Sequence, residues 1–357
     1  MGLLNKVKAN TVQVRLEAYK HLILGEPKTG KTTAFRDLVY KHYNGDMSKG
    51  LLVAFENGYS ALDGIHAIDI TCWEEWEELL DELVEERDSI SYKFIALDTI
   101  DEMVAMAMDK TLRESKKRDG KVVKTMNEAF GGFQRGRDYC IALLNDSLNK
   151  LESAKLGTFM IGHTKLKKKN VGVSLGADGS EYMQLCSNLQ EEYEKVFTKR
   201  ADMMTYLMIE RSVDSSIADV KQRTSTSKVN MVFRSNGQTA SGGRFTDLPE
   251  YLPYSVDNYL KAFEQGVKGN MLKPITDDEI KEVAKKQEAE AKEQAKELRK
   301  KKTIEEMIND IKSVFPTLGD GAKTRMAELL EKSQAPNINA LSEEHREIVE
   351  EMFELIK

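Results

Sequence analysis

Gly25-Glu26-Pro27-Lys28-Thr29-Gly30-Lys31-Thr32-Thr33 decides how the rest of this chain is read. It has the spacing Gly, four residues, Gly-Lys-Thr, which is that of a phosphate-binding loop. His21-Leu22-Ile23-Leu24 before it reads as a short buried strand. Thr32 to Tyr43 after it reads as a helix, with Ala34, Phe35, Leu38 and Val39 on one face. A strand, a turn and a helix start make a ready anion site, because the first helical N–H groups lack partners and the helix dipole adds positive potential. Gly30 lets the backbone approach phosphate closely. Residues Gly25 to Thr33 are therefore expected to cradle phosphate. Lys31 would reach the β- and γ-phosphates, and the Thr32 hydroxyl would bind Mg²⁺.

The chain has 357 residues, 40% hydrophobic and 31% charged, enough for two units with much exposed helix. No apolar run approaches membrane-spanning length, so no membrane contact is expected. Met1 is not followed by a signal-peptide pattern, and Lys6 stands where a myristoylation motif wants Ser or Thr. Cys72, Cys140 and Cys186 are far apart, have no metal-binding spacing, and read as reduced thiols of a cytoplasmic protein. The net charge of −6 argues against bulk affinity for nucleic acid. Its distribution is uneven. Arg113 to Arg137 holds eight Lys/Arg against three Asp/Glu, a local excess of 8 − 3 = +5. Lys165, Lys167, Lys168 and Lys169 form a second basic cluster, and Glu74 to Asp88 is an acidic helix.

Taken in order, Val12, Val14 and Leu16 alternate with polar residues and predict a half-buried strand. Leu51 to Phe55, Ala67 to Ile70, and Lys93 to Leu97 read as strands. Thr71 is expected to cap a helix carrying Trp73, Trp76, Leu79, Leu80 and Leu83. Met103 to Leu112 reads as helix and Arg113 to Lys124 as loop. A long helix is expected from about Gln134 to Ala154, then a strand Thr158 to Gly162 that ends at His163. Residues 165–187 show little periodicity and read as a long loop, of a length that is functional or disordered. Leu189 to Lys199 is helical, Met203 to Glu210 and Val229 to Arg234 are strands, and Ser255 to Glu264 is a helix. Alternating strands and helices predict an α/β fold with a mostly parallel central sheet covered on both faces. This domain takes residues 1–270. Residues 271–302 are a charged helical linker with almost no apolar stripe. Residues 303–357 regain periodicity as a small all-α module, and Ser342 starts its last helix.

Phosphate binding alone is not hydrolysis, which also needs an acid on Mg²⁺, a group to activate water, and a γ-phosphate sensor. Asp98 ends the apolar strand Phe94-Ile95-Ala96-Leu97, as a Walker B aspartate does, and is the expected second metal residue beside Thr32. The position after it is Thr99, where many related ATPases carry Glu. Glu56, at the C-terminal end of another strand, is the better candidate base, since open α/β sheets gather ligand-binding groups there. Asp101 and Glu102 are runners-up, expected on the exposed face of the next helix. His163 is the expected sensor of the γ-phosphate or the attacking water.

Together these residues resemble the RecA-like P-loop ATPases. More narrowly, the chain is similar to phage-encoded RecA-like nucleotide-binding proteins, which include single-strand annealing recombinases. The resemblance covers roughly residues 15–265. It rests on Gly25 to Thr33, Phe55-Glu56-Asn57-Gly58, Ile70-Thr71-Cys72-Trp73-Glu74-Glu75, Ile95-Ala96-Leu97-Asp98-Thr99-Ile100, Met160-Ile161-Gly162-His163-Thr164, and Arg244-Phe245 followed by Leu248-Pro249. It implies ATP as the nucleotide with Mg²⁺, catalysis by Glu56 with Lys31, and a His163 that couples nucleotide state to a DNA-binding loop starting at Lys165. It also implies a ring or filament of identical subunits in which a neighbour's basic residue, Arg244 or less readily Arg234, completes the site. The expected activity is DNA-stimulated ATP hydrolysis on single-stranded DNA, in annealing or recombination, in the host cytoplasm if the gene is carried by a phage. Lys165, Lys167, Lys168 and Lys169, with Arg135 and Arg137, would contact phosphates. A helicase, translocase or loader with the same core is one alternative. A nucleotide-gated assembly protein with little turnover is the other. With a helicase or loader, the C-terminal helices would serve as a docking module for a replication partner.

Overall fold

The structure, a computed structural model, describes residues 7, 9–87, 89–170, 181–213, 225–299, 304–333 and 335–356. The chain divides into two compact units, Met1–Ala284 and Lys285–Lys357. The first is built on one sheet. Its strands in chain order are β1 (Lys20–Gly25), β2 (Gly50–Ala54), β3 (Ala67–Asp69), β4 (Phe94–Asp98), β5 (Gly157–Asn170), β6 (Glu181–Ser187), β7 (Met203–Val213), β8 (Ser225–Val232), β9 (Gly242–Gly243) and β10 (Tyr251–Pro253). The spatial order is β10-β8-β7-β1-β5-β4-β2-β3, with β6 paired to β5 and β9 to β7. β7, β1, β5, β4, β2 and β3 are mutually parallel. β8, β10, β6 and β9 join antiparallel. β5 thus separates the phosphate-loop strand β1 from the Asp98 strand β4, which is the RecA-like arrangement.

The helices of this unit are α1 (Lys31–His42), α2 (Trp73–Glu85), α3 (Ile100–Asp119), α4 (Arg135–Ser153), α5 (Glu191–Thr198) and α6 (Val256–Gly269); α7 (Asp277–Arg299) follows. The central strands are buried throughout, because both faces are covered. On one face α2 to α5 bring Trp73, Trp76, Leu80, Leu144 and Phe197 against Leu22, Val53, Leu97 and Met160. On the other, α1 and α6 bring Phe35, Leu38, Tyr259 and Phe263 against Ile23, Leu52, Phe94 and Phe159.

Four expectations change in this first unit. Val12 to Leu16 belongs to no strand among the described residues; it leads into a 3₁₀ turn at Leu16–Ala18, its alternation serving to tuck Val12 and Val14 against the α1/α6 core. Arg113 to Asp119 is helix, not loop. Arg113 bonds Asp109 one turn back and Glu74 on α2, Lys117 bonds Glu114, and these pairs replace an apolar stripe. Gly120, at φ 68°, then ends the helix. The helix after Thr71 starts one residue later, with Cys72 at its N-cap; Thr71 donates its N–H and hydroxyl to Glu75. Finally, the expected loop after Lys165 is a β-hairpin. β5 continues past the sheet to Asn170 and β6 returns along it, Lys169 facing Tyr182 and Lys165 facing Cys186. Residues 171–180 lie outside the described residues, as do residues 214–224 of the polar excursion between β7 and β8.

β7 likewise runs past the sheet. Gly25, the last residue of β1, is level with His163 on β5 and Leu207 on β7. Both neighbours of the phosphate-loop strand continue beyond it, by roughly 20 Å each at about 3.3 Å per residue. The loop therefore lies between the roots of two hairpin arms.

In the second unit, α8 (Ile304–Val314), α9 (Asp320–Ser333) and α10 (Arg346–Glu354) enclose Ile304, Met307, Ile308, Ile311, Met326, Leu329, Val349 and Met352. Ser342 does not cap α10 directly. A 3₁₀ turn at Glu343–His345 intervenes, and the Ser342 N–H meets His345 Nδ1. Among the described residues no helix is long and apolar enough to cross a membrane.

Candidate nucleotide site

The loop that follows β1 is shaped by its glycines. A Cβ at Gly25 would fall 2.8 Å from Thr29 Oγ1 and 3.0 Å from Leu207 Cβ. Gly30 has φ 89°, a conformation that disfavours side chains. Its carbonyl accepts the first α1 bond from the Ala34 N–H at 2.8 Å and a second from the Tyr254 hydroxyl at 2.8 Å. Thr29 Oγ1 donates to the Glu26 carbonyl at 2.8 Å. Pro27 and Lys28 form the exposed tip, and Thr33 lies in the first turn of α1.

Lys31 curls back over the loop and donates to the carbonyls of Gly25, at 3.1 Å, and Glu26, at 2.9 Å. Its Nζ lies 3.4 Å from His163 Nδ1. Burial pushes the Lys31 ammonium below its usual range, against the pull of Asp98, Glu56 and Asp101. Thr32 Oγ1 donates to Asp98 Oδ2 at 2.6 Å, so the two expected metal residues meet across the β1–β4 gap. Burial pushes the Asp98 carboxyl up; the Thr32 hydroxyl opposes that shift and Glu56 adds to it. The Asp98–Thr99 peptide is cis.

Glu56 follows β2 and is fastened to β4, the N–H groups of Phe55 and Glu56 donating to the Asp98 carbonyl at 2.7 and 3.3 Å. Its Oε2 accepts from Thr99 Oγ1 at 3.4 Å, and its Oε1 lies 3.7 Å from His163 Nε2. His163 thus stands between Lys31 and Glu56. Asp101 does not take the exposed position expected of it. Its Oδ2 accepts the His163 N–H at 2.8 Å, and its Oδ1 is buried with no hydrogen-bond partner among the described residues.

The structure does not bring Arg244 to this place. Its guanidinium bonds Asp202 Oδ1 at 2.7 Å and the Lys199 carbonyl at 3.0 Å, and Asp202 also accepts the N–H of Lys20, the first residue of β1. Arg244 is therefore at the opposite end of the sheet from its own chain's loop. Arg234, beyond the end of β8, is exposed and also lies away from it. The arginine that does reach the loop is Arg211 on the β7 arm, with Nη2 3.3 Å from Glu26 Oε2. Neither Arg211 nor Tyr254 stands out in the sequence; each is brought in by pairing of distant strands.

Of the basic residues, Lys167 is bonded to Glu194 at 3.1 Å and to the Leu189 carbonyl, and Lys168 is paired with Glu181. Arg137 pairs with Glu192 at 3.1 Å, and Arg135 donates to the Phe130 carbonyl at 3.4 Å. Lys165 and Lys169 are exposed and carry no ion pair among the described residues.

A glycine-shaped loop at the start of a helix, a buried lysine on it, and a strand-end aspartate bonded to the threonine that follows that lysine define a P-loop NTPase fold of RecA-like topology. The chain belongs to the family described as AAA domain, whose model matches residues 17–239, more than half of it. Among solved structures it is similar to a KaiC-like protein from the hyperthermophilic archaeon Pyrococcus horikoshii OT3, with 14% identity, 67% of this chain and 90% of that chain covered, and a TM-score of 0.35. No curated protein matches the chain in sequence.

Proposed function

We propose that this protein hydrolyses ATP with Mg²⁺ and uses the cycle to act on single-stranded DNA, in annealing or recombination of the phage recombinase kind. The observation that carries the reading is the run of contacts from Lys31 through His163 to Glu56. His163 is also the last β5 residue before the strand leaves the sheet as the lysine-bearing hairpin, so the group between phosphate loop and base is the root of the proposed DNA arm.

The residues suit the metal. Thr32 Oγ1 and Asp98 Oδ2 are hard oxygen donors already within 2.6 Å of each other, of the kind that holds Mg²⁺ beside nucleotide phosphates. Bound there, the ion would supply charge neutralisation to the nucleotide's phosphates. Lys31 exchanges its loop carbonyls for phosphate oxygens. Glu56, whose carboxylate is open to solvent, takes the proton of the attacking water at an Oε atom. His163 orients that water or the γ-phosphate, its main chain held by Asp101. Arg211 offsets the Glu26 carboxylate beside an incoming polyanion. Arg244 serves only a neighbouring subunit, in a ring or filament of copies. The second unit is a docking module for a protein partner.

Glu56→Gln tests the chemistry. It keeps the shape and removes the base, so single-turnover hydrolysis falls by roughly 10²–10⁴-fold while ATP binding persists. Normal turnover in this variant would reject Glu56 as the base.

A further inference from the structure

Phe133 is 90% exposed, an entire aromatic ring in water. Its presentation is built. Phe130, Phe133 and Gln134 have φ of 56°, 56° and 65°, and Gly131 and Gly132 between them 81° and 85°. That backbone is unfavourable for residues with side chains, and such strain persists only where the surroundings hold it. Phe130 does the holding. It is buried, its ring 4.8 Å from that of Tyr139 and 4.6 Å from the Arg118 guanidinium, and its N–H donates to Ser115 Oγ at 2.8 Å. One phenylalanine is anchored so that the other points outward.

A second exposed ring stands on the β5–β6 hairpin. Cross-strand partners share a face, and the register sets Lys169 against Tyr182, Lys167 against Gln184 and Lys165 against Cys186. Three lysines and a tyrosine, 39% exposed, therefore occupy one side of the arm. The two rings belong to the same end of the unit. α4 finishes near the start of β1, where Glu152 pairs with Lys20 at 3.4 Å. Its length, roughly 28 Å at about 1.5 Å per residue, returns its first turn to the phosphate-loop end. There Arg137 meets Glu192 of α5, whose Glu194 holds Lys167 of the hairpin. The carboxylates of α5's first turn are each paired, Glu191 with Lys195 at 2.7 Å. The α5 carboxylates there are thus each matched by a cation, Asp138 in the first turn of α4 being the exposed acid that is not, and Lys165 and Lys169 remain as unpaired cations among the described residues.

We infer that Phe133 and Tyr182 are base-stacking residues for a single-stranded nucleic acid crossing this end of the unit, with Lys165 and Lys169 on its phosphates. The inference rests on the DNA reading above and deepens it. Cations alone suit any polyanion. Cations beside solvent-facing rings suit a strand whose bases are free to stack, because in a duplex those base faces are covered.

The test is fluorescence anisotropy on the full chain at low salt, with a labelled oligo-dT, an abasic strand of equal length, and a duplex. Oligo-dT should bind about 10-fold tighter than the other two. Phe133→Ala and Tyr182→Ala should each weaken oligo-dT by roughly 5- to 100-fold, leaving abasic affinity and the salt slope unchanged. Phe133→Trp should keep the affinity, and its emission should be quenched by oligo-dT but not by the abasic strand. That signal is readable because Trp73 and Trp76 are buried. Tight oligo-dT binding indifferent to both alanine variants, with Phe133→Trp emission unmoved, would overturn the stacking assignment alone and leave Phe133 to a protein partner. Equal affinity for oligo-dT and abasic strand would do the same. A wild-type protein that binds no strand would remove the DNA reading and this inference together.

Discussion

Thr32 and Asp98 come from elements 66 positions apart and meet at 2.6 Å, the shortest polar contact across the site. Thr32→Ala or Asp98→Asn should lower hydrolysis by about 10²–10³-fold. Both should also raise the Mg²⁺ concentration needed for half-maximal rate; a Mg²⁺ titration that superimposes on wild type would contradict their role. His21 gives a different single-residue prediction. It is fully buried, its Nε2 3.1 Å from the Leu16 carbonyl and its Nδ1 2.9 Å from the Tyr259 hydroxyl. The carbonyl can only accept, so Nε2 carries the proton and Nδ1 accepts from Tyr259. Burial holds this imidazole neutral, with its pKa lowered to about 4. Because the unfolded chain takes up the proton first, near pH 6.5, the His21 contribution is whole above that pH and is lost as pH falls toward 4. Between pH 7 and pH 5 the loss is about 2 kcal/mol. Urea unfolding should show the stability gap between wild type and His21→Asn narrowing by that amount at pH 5; a constant gap would contradict it.

At the scale of elements, the site depends on how closely β5 lies against β1 and α3. Gly162 allows that approach, since a Cβ there would sit 2.7 Å from Leu24 Cδ2 and 3.0 Å from Ile100 Cγ1. Gly162→Ala should cost about 1–3 kcal/mol in urea unfolding and displace His163 next to it, so ATP turnover falls as well. An unchanged midpoint and rate would show that β5 can shift freely. The elements legible in the sequence are those whose residues carry their own signal. The phosphate loop has its spacing; β2 and β4 are continuous apolar runs; α4 is a long amphipathic pattern. That Asp98, Glu56 and His163 come together was legible because each stands at the C-terminal end of a strand of one parallel sheet. The hairpin arms were not. Lys165-Leu166-Lys167-Lys168-Lys169 has no buried face, and its strand character comes only from β6. The last two turns of α3 were hidden similarly, since ion pairs rather than apolar spacing sustain them. Tyr254 and Arg211 reach the loop across separations of 224 and 185 residues, contacts that no local pattern announces.

At the scale of the whole molecule, an ATPase unit carries the phosphate loop between two arms, and a separate helical unit has its own core. The arrangement makes sense if nucleotide state and strand binding inform each other through His163. In that case each ligand should change the affinity for the other by the same factor, as linkage requires. The most direct measurement is ATP hydrolysis at low salt, with and without single-stranded DNA, for the wild type and for Lys31→Ala. Marked stimulation by DNA, abolished in Lys31→Ala, is the predicted result. Hydrolysis that Lys31→Ala abolishes but DNA leaves unchanged would contradict the coupling, and would reduce the arms to surface unrelated to the ATPase cycle.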